Sequence, residues 1–290
     1  MQVFVTGATG WVGSAVVQEL LRAGHQVTGL VRSETNMAAL TATGAQAIRG
    51  TLADVDALHR AASSADAVIH TAFNHDFSQF AANAEEERRA IEAIGSALQG
   101  SSRPLLVTSG LARIASGRLA TEEDVPDPSF LRKSETAARA LAARGVRAAT
   151  VRLAPSVHGV GDHGFVPMLI RIARETGVSA YLDEGANRWA GVHRLDAARV
   201  YRLAIEQGVT ESAYHAVADE GVPFKEIAAV IGRQLGVPVE ARGREHFGWF
   251  ADFVGLEMAA SSERTRARLD WSPVGPDLLA DIDQAAYYAS

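Results

Sequence analysis

The chain has 290 residues, 47% of them hydrophobic, which is enough to bury a sizeable core and excludes a disordered protein. Its formal charge of −6 provides no basic field for nucleic acid, and no run of about eighteen apolar residues could span a bilayer. The absence of cysteine excludes disulfides, thiolate catalysis and thiolate metal sites. Because the opening MQVFVTG enters a strand-like run at once, no signal peptide is expected and a cytoplasmic location is favoured.

The first half of the chain alternates short β-branched apolar runs with longer helical patterns. In order these read QVFVTG, VGSAVVQELLRAG, HQVTGLVR, MAALTATG, AQAIRG, DVDALHRAAS and DAVIHTAF. The alternation continues through ANAEEERRAIEAIGSALQG, PLLVTSG, SETAARALAARG and VRAATVRLA. Such alternation builds a parallel sheet with helices on both faces, so residues 1–155 are predicted to form an α/β, doubly wound domain.

After about Pro155 the pattern loosens. Loop signals in HGVGDHG precede a helix in FVPMLIRIARETG, a strand in YHAVA and a helix in PFKEIAAVIGRQLG. Residues 156–290 are expected mainly to form a smaller substrate-binding lobe, with strands around residues 190–220 returning to the sheet. The aromatic residues Phe247, Trp249, Phe250 and Phe253 have helical spacing, which favours packing in the core of that lobe.

A glycine-rich turn lies between the first strand and the first helix. In VFVTGATGWVGSAVVQELL, Gly7 permits unusual dihedral angles, Gly10 lets the backbone approach a pyrophosphate, and Gly13 lets the helix pack on the strand. The helix N-terminus offers unpaired N–H groups to an anion. This is the context of a dinucleotide-binding Rossmann fold. The residues expected to contact the cofactor here are Gly7, Thr9, Gly10, Trp11, Val12 and Gly13.

The second strand, HQVTGLVRSE, ends in Arg32 and Ser33 without an acidic residue at its tip. An acidic residue there would bind the ribose 2′-hydroxyl of NAD, whereas an arginine can pair with the 2′-phosphate of NADP. The sequence therefore favours NADP(H) over NAD(H), with contacts from Arg32 and Ser33. The alternative is that Arg32 is a solvent-exposed loop residue that binds no ligand.

The spacing of the three glycines resembles the extended, epimerase/dehydratase-like branch of the short-chain dehydrogenase/reductase superfamily. Later stretches resemble it in the same order. They are RGTLAD, with Thr51 where an Asp is usual, VIHTAF, LLVTSG, RLAPSVHGVGDHG, with His158 where a Tyr is common, WAGVHRLDAARVY and RLDWSP. The resemblance covers nearly the whole chain. It implies further cofactor contacts from Thr51, Leu52, Thr71, Ala72, Phe73 and Pro155, and a catalytic Ser109 at the end of the fifth strand.

Family members usually carry Tyr-x-x-x-Lys at the start of the helix after the fifth strand, where the tyrosine transfers the proton and the lysine holds the nicotinamide ribose. This chain has Phe130 and Ser134 at those positions. A phenyl ring cannot transfer a proton. Lys133, three residues after Phe130, lies near the same helix face and is expected to hold the ribose, or else to be an exposed lysine.

The missing tyrosine leaves the proton donor open. Ser109 is the first candidate to orient a substrate carbonyl, and the best-matched proton donors are histidines, with His158 first, then His70 and His75, then His163. A metal site at His70 and His75 is disfavoured, because the segment is strand-like and has no third ligand nearby.

The leading hypothesis is an NADP(H)-dependent oxidoreductase that reduces a carbonyl or enone of a small, partly apolar molecule. His75, Trp189, Phe247 and Trp249 are the candidate substrate contacts, with Tyr181 a further one. The alternatives are a non-catalytic NADP(H)-binding sensor and a redox-neutral epimerase or lyase. Similar proteins often dimerise through the two helices that flank the fifth strand, so a homodimer is expected, with the EEERRAIEAIG helix at its interface.

Overall fold

A parallel β-sheet forms the centre of the protein in a computed structural model, which describes residues 1–115, 117–127 and 129–289. The strands are β1 (Gln2–Thr6), β2 (Gln26–Val31), β3 (Gln46–Arg49), β4 (Ala67–His70), β5 (Leu105–Gly110), β6 (Ala148–Leu153), β7 (Ser156–His158), β8 (Ser179–Tyr181), β9 (Arg188–His193), β10 (Ala213–Ala216), β11 (Asp219–Pro223) and β12 (Val239–Ala241).

Helices connect most of these strands. They are α1 (Trp11–Arg22), α2 (Glu34–Thr41), α3 (Val55–Ser63), α4 (Phe80–Leu98), α5 (Ser134–Ala143), α6 (Phe165–Thr176), α7 (Arg194–Glu206), α8 (Phe224–Leu235), α9 (Ala251–Val254), α10 (Glu263–Leu269) and α11 (Leu278–Ile282). Short 3₁₀ turns cover Phe77–Gln79, Arg244–His246, Gly248–Phe250 and Ala285–Tyr288. Within the described residues, no helix is long and apolar enough to cross a bilayer.

The central sheet has the strand order β3, β2, β1, β4, β5, β6, β10, and each neighbouring pair is parallel. Alternate residues of β1 supply the two apolar cores that flank it. Val3 and Val5 pack with α1 and α7 on one face, whereas Phe4 packs with α3, α4 and α5 on the other. The predicted α/β, doubly wound parallel fold is confirmed. Its strand order changes direction between β1 and β4, the position at which such sheets bind ligands.

A smaller lobe is built from later parts of the chain. It contains the three-stranded sheet β11, β9, β7 and the parallel pair β12 and β8. Its apolar core is formed by α6, α8, α9 and α11. Large side chains fill this core, among them the fully buried Trp189, Phe224 and Phe250.

The chain returns to the central sheet after the lobe has begun. Strand β10 pairs with β6 and forms one edge of the sheet, and α7 packs against α1. Of the segment around residues 190–220, only β10 therefore joins the sheet as a strand. Strand β9 pairs instead with β7 and β11.

Candidate cofactor and substrate site

Glycine at positions 7 and 13 lets α1 begin directly against β1. Gly7 has a φ angle of +70°, in the left-handed region that other residues rarely adopt. A Cβ atom on Gly13 would lie 2.0 Å from the Gly7 carbonyl oxygen and 2.7 Å from the Thr71 hydroxyl oxygen. The helix therefore contacts the strand through backbone at this point, and a side chain at residue 13 would force them apart.

The first turn of α1 presents N–H groups to an anion. Gly10 is the N-cap, so no side chain caps the helix, and the first turn contains no acidic residue. The amides of Trp11, Val12 and Gly13 therefore keep their hydrogen-bonding capacity, and Thr9 and Gly10 are exposed beside them. A dinucleotide pyrophosphate fits this turn, because a Cβ atom on Gly10 would have only the Gly7 carbonyl oxygen within 4 Å, so the space beside the amides is open.

Arg194 places a positive charge beside the same turn. Its guanidinium lies 3.9 Å from the centroid of the Trp11 ring, and its Nη2 donates to the Ser14 hydroxyl at 2.9 Å. Trp11 in turn donates from its indole nitrogen to the Val157 carbonyl at 2.7 Å. Sequence reasoning did not find Arg194, because nothing in the local pattern links it to a helix about 180 residues earlier.

Arg32 stands at the tip of β2 with its side chain exposed. Among the described residues it has no hydrogen bond or ion pair, so its guanidinium is available to a ligand. Ser33 caps α2 by accepting a hydrogen bond from the Asn36 amide at 3.2 Å. The nearest following acid, Glu34, is paired with Arg49 at 2.9 Å. The guanidinium of Arg32 thus stands beside the N-terminus of α2, where it could pair with an anion.

The remaining predicted cofactor contacts follow neighbouring strands. After β3, the Thr51 amide and hydroxyl both donate to Asp54 Oδ2, at 2.7 and 3.0 Å, and Leu52 is half-buried. After β4, the Thr71 hydroxyl donates to the Thr6 carbonyl at 2.8 Å, which ties this segment to the glycine turn. Three other predicted contacts are half-buried at the carboxyl ends of strands: Ala72, Phe73 and Pro155.

Ser109 lies in β5 near its carboxyl end and is 9% exposed. No hydrogen bond involves its hydroxyl within residues 1–115, 117–127 and 129–289. Its neighbour Thr108, by contrast, shares a 2.8 Å hydrogen bond with the fully buried Tyr201 hydroxyl. The Ser109 hydroxyl is therefore the one of this pair that can serve a ligand.

Lys133 is not directed to the site in this structure, which corrects the expectation that it holds the ribose. Helix α5 begins at Ser134, so Lys133 is its N-cap and is exposed. The ammonium instead lies 3.1 Å from Glu85 Oε2 on α4. Ser134, at the position of the usual lysine, is fully buried. The half-buried Phe130 lies in the segment before the helix.

His158 is also misplaced for the predicted role of proton donor. The ring is fully buried, with Nδ1 2.8 Å from Asp281 Oδ2 and Nε2 4.0 Å from Asp219 Oδ2. It joins β7 to α11 and has no exposed surface for a substrate. The loop after β6 turns into the smaller lobe here, so the histidine is enclosed by the C-terminal helix.

The other candidate histidines occupy different environments. His70 is fully buried and bonds Thr6 Oγ1 at 2.8 Å, and burial, followed by the charge of Arg132, lowers its pKa to about 3. His163 packs edge-on against Trp11. The His75 ring centroid lies 5.3 Å from that of Phe73. Desolvation lowers the pKa of His75, and the positive charge of Arg132 lowers it further.

No group of three or more His, Asp or Glu side chains in the described part of the chain could hold a metal.

Arg132 is a site residue that sequence reasoning missed. Its Nη2 lies 2.9 Å from Glu87 Oε1 on α4 and 3.3 Å from the Thr108 carbonyl. Its guanidinium also lies 4.4 Å from the centroid of the Phe73 ring. A positive charge is therefore fixed at the carboxyl ends of β4 and β5. The signal in the sequence was only an arginine two residues after Phe130.

The four predicted substrate contacts are split between core and surface. Trp189 and Phe247 are buried in the core of the smaller lobe, at 0% and 4% exposure, so they pack there and do not line an open pocket. Trp249 is 61% exposed and its ring lies 5.3 Å from that of Phe77, which follows β4. His75 lies within 6.2 Å of the same Phe77 ring. These exposed rings join the two lobes.

Tyr181, Phe250 and Phe253 belong to the packing of the lobe. The Lys225 ammonium lies 5.0 Å from the centroid of the Tyr181 ring, and Phe250 stacks with Phe253 at 5.5 Å. Phe165 packs against both of these phenyl rings and also reaches Phe77, at 6.4 Å. A continuous aromatic row thus runs from the lobe core to the segment after β4.

Comparisons with known proteins agree with this geometry. Residues 7–157 match the protein family described as NAD(P)H-binding. An uncharacterized protein of Schizosaccharomyces pombe is 48% identical over 99% of this chain and 100% of its own. The 2-alkyl-3-oxoalkanoate reductase of Stenotrophomonas maltophilia is 29% identical over 82% of this chain and 77% of its own.

Solved structures share the fold. The UDP-glucose 4-epimerase of Thermus thermophilus, in complex with NAD, superposes with a TM-score of 0.76 at 19% identity, over 100% of both chains. The family match adds to the glycine turn and the parallel sheet already described. The chain thus belongs to the NAD(P)H-binding protein family, and it shares the fold of a UDP-glucose 4-epimerase.

Proposed function

We propose that the protein is an NADP(H)-dependent oxidoreductase that reduces the carbonyl or conjugated enone of a small, partly apolar molecule. The observation that carries the proposal is the unpaired, exposed Arg32 at the tip of β2, next to the N-terminus of α2. A 2′-phosphate is the part of NADP(H) that a guanidinium and helix N–H groups would bind there. The similarity to a reductase of oxoalkanoates supports the direction of the reaction.

Separate residues of this chain would bind the cofactor and orient the substrate. The amides of Trp11, Val12 and Gly13 would bind the pyrophosphate, with Arg194 supplying positive charge beside them. Bound NADPH would supply the hydride. Ser109 would donate a hydrogen bond to the substrate oxygen from the end of β5.

The exposed aromatic rings favour a partly apolar substrate. Phe77 and Trp249 would cover the reacting end and exclude water. Both rings keep exposed surface, so a flat or branched apolar group could pack against their exposed faces.

Phe130 and the pairing of Lys133 with Glu85 favour a second candidate, in which the protein binds NADP(H) but does not consume it. This group comprises a sensor and a redox-neutral epimerase or lyase. The sensor needs no proton donor at position 130. The redox-neutral enzyme stays an alternative because a nicotinamide that takes and returns the same hydride is not consumed. Net conversion of a substrate without NADPH consumption would identify the redox-neutral enzyme.

The deciding experiment measures NADPH and NADH binding by calorimetry for the wild type, Arg32→Ala and the control Arg22→Ala. Arg22 is an exposed arginine at the far end of α1. NADPH oxidation is followed in parallel with ethyl acetoacetate, methylglyoxal, 2-cyclohexenone and phenanthrenequinone. Tighter binding of NADPH than NADH, weakened at least about tenfold by Arg32→Ala alone, together with turnover of a panel member, supports the proposal. Binding without turnover favours the second candidate, and no binding rejects both.

We also propose a homodimer that forms through α4 and α5, the helices that flank β5. The support is the family resemblance and the position of both helices on one outer face of the sheet. Light scattering on the purified protein tests it. A mass of one chain across the micromolar range would reject the dimer.

A further inference from the structure

The carboxyl ends of β4 and β5 carry a fixed positive charge that the proposed function has not yet used. Arg132 reaches there from the segment before α5, and it bonds Glu87 and the Thr108 carbonyl through the single nitrogen Nη2. Thr108 is the residue before Ser109. Phe73, over which the guanidinium lies, is one of the residues expected to contact the cofactor. The charge thus stands between the Ser109 strand and the Phe73 segment.

Two of the three guanidinium nitrogens have no partner among the described residues. The Nε atom is buried without a hydrogen bond, and no hydrogen bond uses Nη1 in the part of the chain that the structure describes. Nη1 is also absent from the buried atoms, so it faces solvent or a ligand. An arginine that is buried only to neutralise a carboxylate usually donates two parallel N–H bonds to both oxygens of that carboxylate. Arg132 does not.

Glu87 on α4 fixes the position of Arg132 by accepting a hydrogen bond from Nη2. It is fully buried on α4, and its second oxygen, Oε2, has no partner. Burial raises the pKa of Glu87, and Arg132 opposes that rise. One short contact of 2.9 Å therefore fixes the position of the guanidinium while leaving its outer edge for another acceptor.

We propose that Arg132 is an oxyanion-binding residue, which replaces the missing tyrosine by stabilising the negative charge that develops on the substrate oxygen. This inference rests on the proposed reductase function. In that reaction the hydride of the reduced nicotinamide forms the new C–H bond, the C=O π bond breaks, and its electron pair moves to oxygen. Arg132 and Ser109 hold that alkoxide by hydrogen bonds.

The proton of the alcohol comes from water. An arginine keeps its protons at any physiological pH, so it can stabilise the alkoxide but cannot neutralise it. Water supplies the proton once the charge has formed, and the hydroxide left behind is buffered by solvent. The hydrophobic Phe130 is compatible with this arrangement, because no acidic side chain is needed at its position.

The test must separate this role from the ion pair with Glu87. Removing Arg132 alone would leave a buried carboxylate unpaired and could unfold the protein. The reference protein is therefore Glu87→Gln, and the test protein is Glu87→Gln with Arg132→Gln, in which no charge is stranded. Arg132→Lys in the otherwise unchanged chain keeps the charge but loses the planar fork.

Two measurements are made on these proteins. The first is kcat/KM for a panel ketone that the wild type reduces. We expect the double variant to lose about 10²–10³-fold relative to Glu87→Gln, as removal of an oxyanion-hole donor does. In a further double variant, Glu87→Gln with Arg132→Ala, the shorter side chain leaves room for free guanidinium. Added guanidinium should restore part of the activity of that protein and should not raise the activity of the Glu87→Gln reference.

The second measurement does not depend on turnover. Benzoate, a stable carboxylate, is titrated calorimetrically into the NADP⁺-saturated proteins. We expect benzoate to bind the wild type and the Glu87→Gln reference, and to bind at least about tenfold more weakly to the double variant. Equal benzoate affinity in reference and double variant, equal kcat/KM in the two, or no benzoate binding to the wild type would overturn the proposal.

The outcomes also separate this inference from the proposed function. Turnover of the panel without any dependence on Arg132 rejects the oxyanion site and leaves the reductase standing. Arg132-dependent benzoate binding with no turnover of any panel member supports the anion site and rejects the reductase.

Discussion

The rings of Phe77 and Trp249 meet at a centroid distance of 5.3 Å, with an interplanar angle of 30°. One belongs to the segment after β4 and the other to the smaller lobe, so this pair closes the space between the lobes. Both rings keep exposed surface, 37% for Phe77 and 61% for Trp249. The exposed faces of both rings are therefore accessible to a ligand.

We expect Trp249→Ala to raise the KM for phenanthrenequinone about two- to tenfold while changing kcat little, since an aromatic contact contributes about 0.5–1.5 kcal/mol beyond its buried area. The KM for the small substrate methylglyoxal should stay within about twofold. Trp249→Phe is the matched control and should keep most of the affinity. Equal effects on both substrates would count against a stacking role.

Replacing Gly13 by alanine should abolish tight cofactor binding. The new Cβ would collide with the Gly7 carbonyl oxygen at 2.0 Å, which forces α1 away from β1 and displaces its first-turn amides. Calorimetry should show at least about a hundredfold weaker NADPH binding. The control is Gly24→Ala, where nothing lies within 4 Å and only the backbone strain of φ +81° is incurred. If both variants bind NADPH equally well, the turn is not the cofactor site.

Lys133→Met should leave NADPH affinity within about twofold of the wild type. The ammonium pairs with Glu85 on the outer side of α4, and such an exposed pair contributes little to stability. Glu85→Gln, which breaks the same pair from the other side, is the control and should behave alike. A tenfold loss of affinity in Lys133→Met alone would show that the lysine turns to the ribose when the cofactor binds.

The free energy of unfolding should fall as the pH is lowered from about 6.5 to about 4. His215 is fully buried, its Nε2 lies 3.0 Å from Arg152, and its pKa is lowered to about 4, first by burial and then by that arginine. The unfolded chain therefore binds a proton in this range that the folded protein does not. One such histidine contributes a slope of about 1.4 kcal/mol per pH unit.

Urea unfolding at several pH values checks this expectation. His215→Gln, which can still donate to the Ser261 carbonyl and accept from Arg152, should reduce the slope by about one proton. The exposed His59→Gln is the control. An unchanged slope in His215→Gln would contradict the assignment, even though the buried His70 contributes a similar slope of its own.

The features that the sequence predicted correctly depend on neighbouring residues. The parallel sheet follows from the alternation of short and long apolar patterns, and the glycine turn is defined within seven residues of chain. The exposed tip of β2 at Arg32 could also be read locally. Each of these features depends on backbone geometry that is determined by the residues of one short segment.

The side chains that were misplaced or missed depend on contacts between distant segments. His158 is enclosed by Asp281, 123 residues later, and Arg132 is held by Glu87, 45 residues earlier. Lys133 was expected on the face of Phe130, but α5 starts only after it and Glu85 attracts its charge. Trp189 was a pocket candidate because it is large and aromatic, and the same properties place it in the lobe core.

The pairing of β10 with β6 means that the two lobes cannot be separated by cutting the chain once. A fragment that ends at residue 155 would leave β6 as a bare edge strand and the α7 side of the sheet uncovered, and such edges recruit other chains. The fragment should therefore aggregate rather than bind nucleotide. For the same reason, a substrate lobe grafted from a relative would have to bring its own β10 and α7, so changes of substrate in this protein are expected to arise through point substitutions and loop changes and not by exchange of whole domains.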